Sequence, residues 1–226
     1  MLRHKTLLPI YIFLFTFIGG FADASSFLLS GIFTGHLTGN LVLCAVYTVQ
    51  QNYFLLFHCI CAVIGFISGT ILGVWFRIEK KIQPSYKTSI ALIFQLSVII
   101  LIFVIDLLFH TDTSHILFFT VLSFALGIQN GTINKLYKLG IHSSYVTGMT
   151  TTLINNYLTL EKTDPEYSNK IILYIIQFFI ILFFVIGALT GALCIYLMNF
   201  MGFSALGLLL ISSITLSIYI EHHHII

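Results

Sequence analysis

"FTGHLTGN", Phe33 to Asn40, interrupts a chain that is otherwise close to continuous hydrocarbon. Its eight positions include two threonines, two glycines, a histidine and an asparagine. Around it, 58% of the 226 residues are hydrophobic and only 8% are charged, with 22 Phe and 11 Tyr. The mean hydropathy is +1.02. A soluble globule of this length needs a charged surface that this composition does not supply. The chain therefore reads as one integral membrane domain over residues 1–226, with the lipid bilayer as its solvent. A net charge of +2 gives no basis for a nucleic-acid partner.

A membrane-crossing helix needs roughly 20 mostly apolar residues. Six stretches qualify, at about 7–30, 54–76, 88–109, 115–134, 171–198 and 202–220. Two shorter ones, 33–50 and 143–160, are too polar or too short. If both short segments cross there are eight spans; if both dip in and return there are six. Lys and Arg accumulate on the cytoplasmic side, and this decides between the two. With the N-terminus inside and both short segments re-entrant, all ten basic residues fall on one side: Arg3, Lys5, Arg77, Lys80, Lys81, Lys87, Lys135, Lys138, Lys162 and Lys170. Eight spans would put the 77–87 cluster outside. The expectation is an all-α protein of six transmembrane helices plus two short re-entrant or broken helices, with both termini cytoplasmic. Arg3, His4 and Lys5 ahead of an apolar run, with Ala22-Asp23-Ala24 after it, imitate a signal peptide. The same topology argues that this segment is retained as the first span.

The opening stretch also has a counterpart. "HLTGNLVL" at 36–43 matches "YVTGMTTT" at 145–152, an offset of 109. "GFISGTILG" at 65–73 matches "GALTGALC" at 187–194, an offset of 122. "GFADASSFL" at 20–28 aligns with "GIQNGTINK" at 127–135, an offset of 107 that pairs Asp23 with Asn130. Each half then reads span, short segment, span, span: repeat one over about 7–109, repeat two over about 115–220. Three spans per half make the second half upside down relative to the first. Inverted repeats with interrupted helices at matching places point to a secondary transporter.

Backbone that leaves the helix inside a bilayer must be buried in protein or line a wet cavity. Gly35 and Gly39 permit the turn, and Thr38 and Asn40 suit the N-cap of a short helix. Helix N-termini present free N–H groups and partial positive charge; two such ends, near 38–40 and 147–149, are expected to meet near the midplane. Asp23, a carboxylate within a span, is a functional hypothesis by default. The candidate solute- or ion-binding set is Asp23, His36, Thr38, Gly39, Asn40, Gln129, Asn130, Thr147 and Gly148. Each has a bland counterpart: tight packing turns for the Thr-Gly pairs, a buried structural hydrogen bond for Asp23, a place at the outer water boundary for His36, and interhelical hydrogen bonds for Gln129 and Asn130. Asp106 is expected at the interface, and His58 and Gln95 in interhelical hydrogen bonds. The glycine seams at Gly65, Gly69, Gly73 and at Gly187, Gly191 suit close helix packing within the chain, with a homodimer as the alternative.

No enzyme, cofactor or metal motif accompanies these features. There is no H-E-x-x-H, no G-x-S-x-G and no catalytic carboxylate pair. Cys44, Cys59, Cys61 and Cys194 lie in apolar stretches, and Cys59-x-Cys61 has neither a redox nor a zinc spacing. His222-His223-His224 is a histidine tract that could bind a metal but lies apart from every other candidate.

Gly20-Phe21-Ala22-Asp23-Ala24, Phe33 to Asn40, Ala125-Leu126-Gly127-Ile128-Gln129-Asn130 and Tyr145-Val146-Thr147-Gly148 resemble the YoaK family of bacterial inner-membrane proteins. That family is defined by a domain of unknown function. The resemblance covers nearly the whole chain and implies a bacterial multi-span protein of the inner membrane, often called a permease. It supplies no activity and no site. The chain departs from the family pattern in Met149 to Thr152 and in the reduced basic flank, Lys135 and Lys138, after Gln129-Asn130. The expected function is a permease or secondary transporter for a small solute, coupled to protons or sodium. A non-transporting scaffold is the alternative.

Overall fold

The computed structural model describes residues 2–80, 87–109, 111–132, 135–136, 139–140, 146–159 and 167–222. Eight α-helices carry nearly all of them: α1 (Leu2–Ser30), α2 (Leu37–Val49), α3 (Tyr53–Ile78), α4 (Lys87–Phe109), α5 (Asp112–Thr132), α6 (Val146–Leu158), α7 (Tyr167–Met198) and α8 (Ser204–His222). Lys135–Leu136 pairs with Leu139–Gly140 as a two-residue antiparallel ladder. Lys81, Lys138, Tyr145, Lys162 and His223-His224 lie outside the described residues.

Among the described residues, five stretches are long and apolar enough to cross a membrane, the last being Lys170–Ile220. That stretch contains a 3₁₀ turn, Asn199–Phe203, with Asn199 in the left-handed region. Beyond the turn α8 runs back along α1: Leu206 and Leu210 share a cluster with Ile18, Phe21 and Ala22, while Ile214 and Ile220 join Tyr11 and Phe15. The outer surface is apolar, with Leu101, Ile71 and Leu189 more than 60% exposed. Such a belt would aggregate in water and is the surface that lipid solvates.

Two glycine seams hold the bundle. In α3, a Cβ on Gly65, Gly69 or Gly73 would strike the carbonyl oxygen of Thr120, Phe124 or Ile128 in turn. The matched order makes α3 and α5 parallel and packed backbone to backbone. Gly127 and Gly131 of α5 return the contact, against Phe66 and Thr70. The second seam joins α7 to α1: Gly187 lies on Phe17, Gly191 on Phe21, and Gly20 on Phe184. These helices are also parallel. Close approach replaces the hydrophobic effect, which lipid does not supply between apolar helices.

One end of the bundle gathers the C-terminal ends of α1 and α4, the N-terminal ends of α3 and α5, and the turn after α7; Leu29, Phe54, His115, Phe200 and Phe103 meet there. The other end gathers the N-terminal ends of α1 and α4 and the C-terminal ends of α3, α5 and α8. There Lys87 donates to the carbonyl of Arg77 at 2.8 Å, and Ser89 bonds Ser217 at 3.0 Å. Arg77, Lys80, Lys87 and Lys170 all belong to this second end.

After α1 the chain turns on Gly31, held at φ +70°. It descends through 32–36 to the depth of Asp23, roughly 10 Å below the end of α1 at 1.5 Å per residue. It then returns as α2, antiparallel to α3. Tyr47 donates to the carbonyl of Gly31 at 2.6 Å, and Cys59 to that of Asn40 at 3.0 Å.

Three local expectations need correction. α2 is capped by His36, with no side-chain cap bond, so Thr38 and Asn40 are not its N-cap. Asp106 is fully buried rather than interfacial, because His115 from α5 reaches over it, with Nδ1 3.2 Å from its Oδ1. His58 makes no interhelical hydrogen bond among the described residues; its ring lies between Phe54 and Phe119.

Candidate functional site

The best-built polar site lies at the turn within Phe33–Asn40. Asp23 sits on α1, two turns before the helix ends, and is 4% exposed. Its Oδ1 accepts from the backbone N–H of Thr34 at 3.2 Å and of Gly35 at 2.6 Å. A carboxylate that gathers successive N–H groups acts as an external cap for a segment that has left the helix. Ser26 closes the same corner, donating to the carbonyl of Asp23 at 3.1 Å and lying 3.2 Å from the Thr34 hydroxyl. Gly35 fits closely: a Cβ there would sit 3.3 Å from Asp23 Oδ1, a tight contact, and 3.5 Å from Leu126 of α5. The second oxygen, Oδ2, is buried and makes no hydrogen bond among the described residues.

Asn40 ties the far side of the turn. Its Oδ1 accepts from the N–H of Phe33 at 2.9 Å, and its Nδ2 donates to the carbonyl of Phe33 at 2.6 Å. This pair of bonds closes a ring that mimics a β-bridge, so Asn40 positions the turn. Gly39 is crowded by His36 and Phe33, and Phe33 stacks on Phe27 at 4.7 Å. His36 is half-buried and Thr38 exposed.

The other predicted residues occupy different depths, with α1 as the ruler. Gln129 is buried, donates to the carbonyl of Phe15 at 3.4 Å, and accepts from Gln95 at 3.3 Å. Phe15 is eight residues from Asp23, about 12 Å along the helix. Asn130, the next residue on α5, is half-buried near that lower level. On α6, Met149 packs with Ile12, Ile176 and Ile180, about 16 Å along α1 from Asp23. Thr147 is exposed and Gly148 half-buried beside it. The structure thus brings Asp23, Gly35 and Asn40 together around one turn. It sets Gln129 with Gln95, and it leaves Thr147 and Gly148 with α7.

Sequence reading missed Thr34, Gly35 and Ser26 as partners of Asp23, and Gln177, which accepts from Asn156 at 3.0 Å. The signal for the first three was present. A lone intramembrane carboxylate needs donors, and the nearest flexible backbone begins eight residues later. Gln177 carried no such signal inside a long apolar run.

Apolar helices of spanning length and an apolar outer surface define a multi-span membrane protein. The chain belongs to the family described as "Protein of unknown function (DUF1275)", whose model matches residues 11–219. It is 27% identical over 180 residues to the UPF0700 transmembrane protein YoaK of Bacillus subtilis (strain 168), covering 77% of this chain and 78% of that protein. The expected family resemblance is therefore established. No solved structure matches.

Proposed function

We propose that the chain is a secondary transporter or permease for a small solute, with six crossings arranged as two inverted repeats and both termini cytoplasmic. The observation that carries this reading is the packing pattern. Exchanging α1–α4 for α5–α8 turns the α3/α5 seam into the α7/α1 seam. It likewise turns α2 on α3 into α6 on α7, and α4 against α5 into α8 against α1. Transporters built this way place interrupted helices at matching points of the two halves. The gathering of Arg77, Lys80, Lys87 and Lys170 at one end supports a cytoplasmic assignment for that end. Asp23 is the proposed coupling group, since it is a buried carboxyl whose Oδ2 makes no hydrogen bond among the described residues. The test is uptake in proteoliposomes across a solute panel under imposed proton and sodium gradients. Asp23→Asn is expected to insert normally and abolish the ion dependence of flux. Unchanged ion dependence would make Asp23 structural.

The second reading, a non-transporting scaffold, is favoured by the closed packing around Asp23, where Leu126 and Gly35 leave no opening. A transporter in an occluded state has the same packing. Flux above that of empty vesicles for any solute in the panel separates the two.

A further inference from the structure

A cavity of about 430 Å³ opens at the end of the bundle away from the basic residues, and no part of the Asp23 site lines it. This is the size of a small-molecule site. Its walls are apolar and aromatic, from Leu55, Ile116, Phe119 and Phe200 among others. Two imidazoles interrupt them. His58 is 3% exposed, and neither ring nitrogen has a hydrogen-bond partner among the described residues. His115 is backed by Asp106 of α4, which is 0% exposed. Leaving a polar group without a partner in such surroundings costs several kcal/mol, so a cavity wall that holds one asks for a ligand group.

The Asp106–His115 pair decides what kind. A buried carboxylate with no counter-charge or proton is strongly disfavoured. His115, with Nδ1 3.2 Å from Oδ1, is its one ion-pair contact among the described residues, and neither oxygen makes a hydrogen bond there. Charge balance is met when Asp106 is ionised against the His115 imidazolium, and that ring offers an N–H donor to the cavity. His58, as a neutral imidazole, offers one more N–H. His58 is the sixth residue of α3 and His115 the fourth of α5, so both lie toward helix N-termini, which favour negative charge most strongly within the first turn. The opposing consideration is the aromatic wall, which attracts cations. Two imidazole donors on the cavity wall outweigh it.

We propose that this cavity binds a small amphipathic organic acid, its carboxylate held by His58 and His115 and its apolar body by Phe119 and Phe200. The proposal stands on the cavity alone and holds whether or not the chain carries the acid across the membrane.

The test is fluorine NMR on the full chain in phosphatidylcholine nanodiscs. The probes are 4-fluorophenylacetate, its amide, and the amine of the same skeleton. Saturable binding of the acid is expected, at least about tenfold tighter than either of the others, a difference of about 1.4 kcal/mol. His58→Phe and His115→Phe should each weaken it by about tenfold or more, with thermal melts reporting whether they fold. On the unsubstituted chain the acid, and not the amine, should protect His115 from diethyl pyrocarbonate, read by mass spectrometry. This arm holds even if both variants misfold. Absence of saturable acid binding, equal or tighter binding of the amine, or acid binding unchanged in folded histidine variants would each overturn the assignment.

Discussion

Asp23 and Gly35 are twelve residues apart in the chain, and the carboxylate accepts the glycine N–H at 2.6 Å. One side chain on a regular helix thereby fixes the depth at which the following segment turns. Asp23→Leu should remove both acceptor bonds and leave the N–H groups of Thr34 and Gly35 buried and unpaired. Each such group costs about 1–3 kcal/mol. Asp23→Asn keeps a carbonyl oxygen in place and should lose less than half as much. Thermal unfolding in detergent compares the two, and hydrogen exchange at residues 33–36 should rise in the leucine variant first.

Asn40 holds the same turn from the other side by a two-bond ring to Phe33. Asn40→Ala should lower stability by about 1–3 kcal/mol. Asn40→Asp should recover little, because it restores the acceptor but not the Nδ2 donor. Equal stability of Asn40→Ala and the parent chain would show that the ring does not hold the turn.

The seam makes a sharper contrast. A Cβ at Gly69 would fall on the carbonyl oxygen of Phe124, backbone that cannot step aside, whereas one at Gly207 meets nothing within 4 Å. Gly69→Ala should therefore cost several kcal/mol or abolish a monodisperse product. Gly207→Ala should be neutral or stabilising by about 0.5–1 kcal/mol, through helix propensity. Size-exclusion profiles and melting temperatures of the two variants measure this.

Gln95 and Gln129 share a buried amide contact at 3.3 Å. In a double-mutant cycle with leucine at both positions, the coupling should be about 0.5–1.5 kcal/mol, the range measured for hydrogen bonds between membrane helices. A coupling near zero would mean that each amide finds another partner when the first is removed.

The proposed orientation predicts opposite labelling of two positions. In a background lacking Cys44, Cys59, Cys61 and Cys194, Lys80→Cys should react with a membrane-impermeant maleimide only after the cytoplasmic face is opened. Thr111→Cys should react in intact cells. The reverse pattern would overturn the orientation.

Composition and charge placement on their own determined the class of protein and the segments that become helices. The expected 54–76 and 88–109 became Tyr53–Ile78 and Lys87–Phe109, because runs of apolar residues bounded by Lys, Arg or Asn have one low-energy conformation in lipid, the helix. The two short segments were equally legible, since thirteen residues cannot span the hydrocarbon. Partner choice was not legible. That Asp23 binds the backbone of 34–35, that Asp106 is sealed by His115, and that His58 faces a cavity all depend on which helices lie side by side. The glycine seams do set that arrangement, but a glycine stripe records only that something comes close. Which backbone fills each notch is decided by the three-dimensional fit of all the helices at once. The buried polar groups then take whatever donors and acceptors that fit brings within reach.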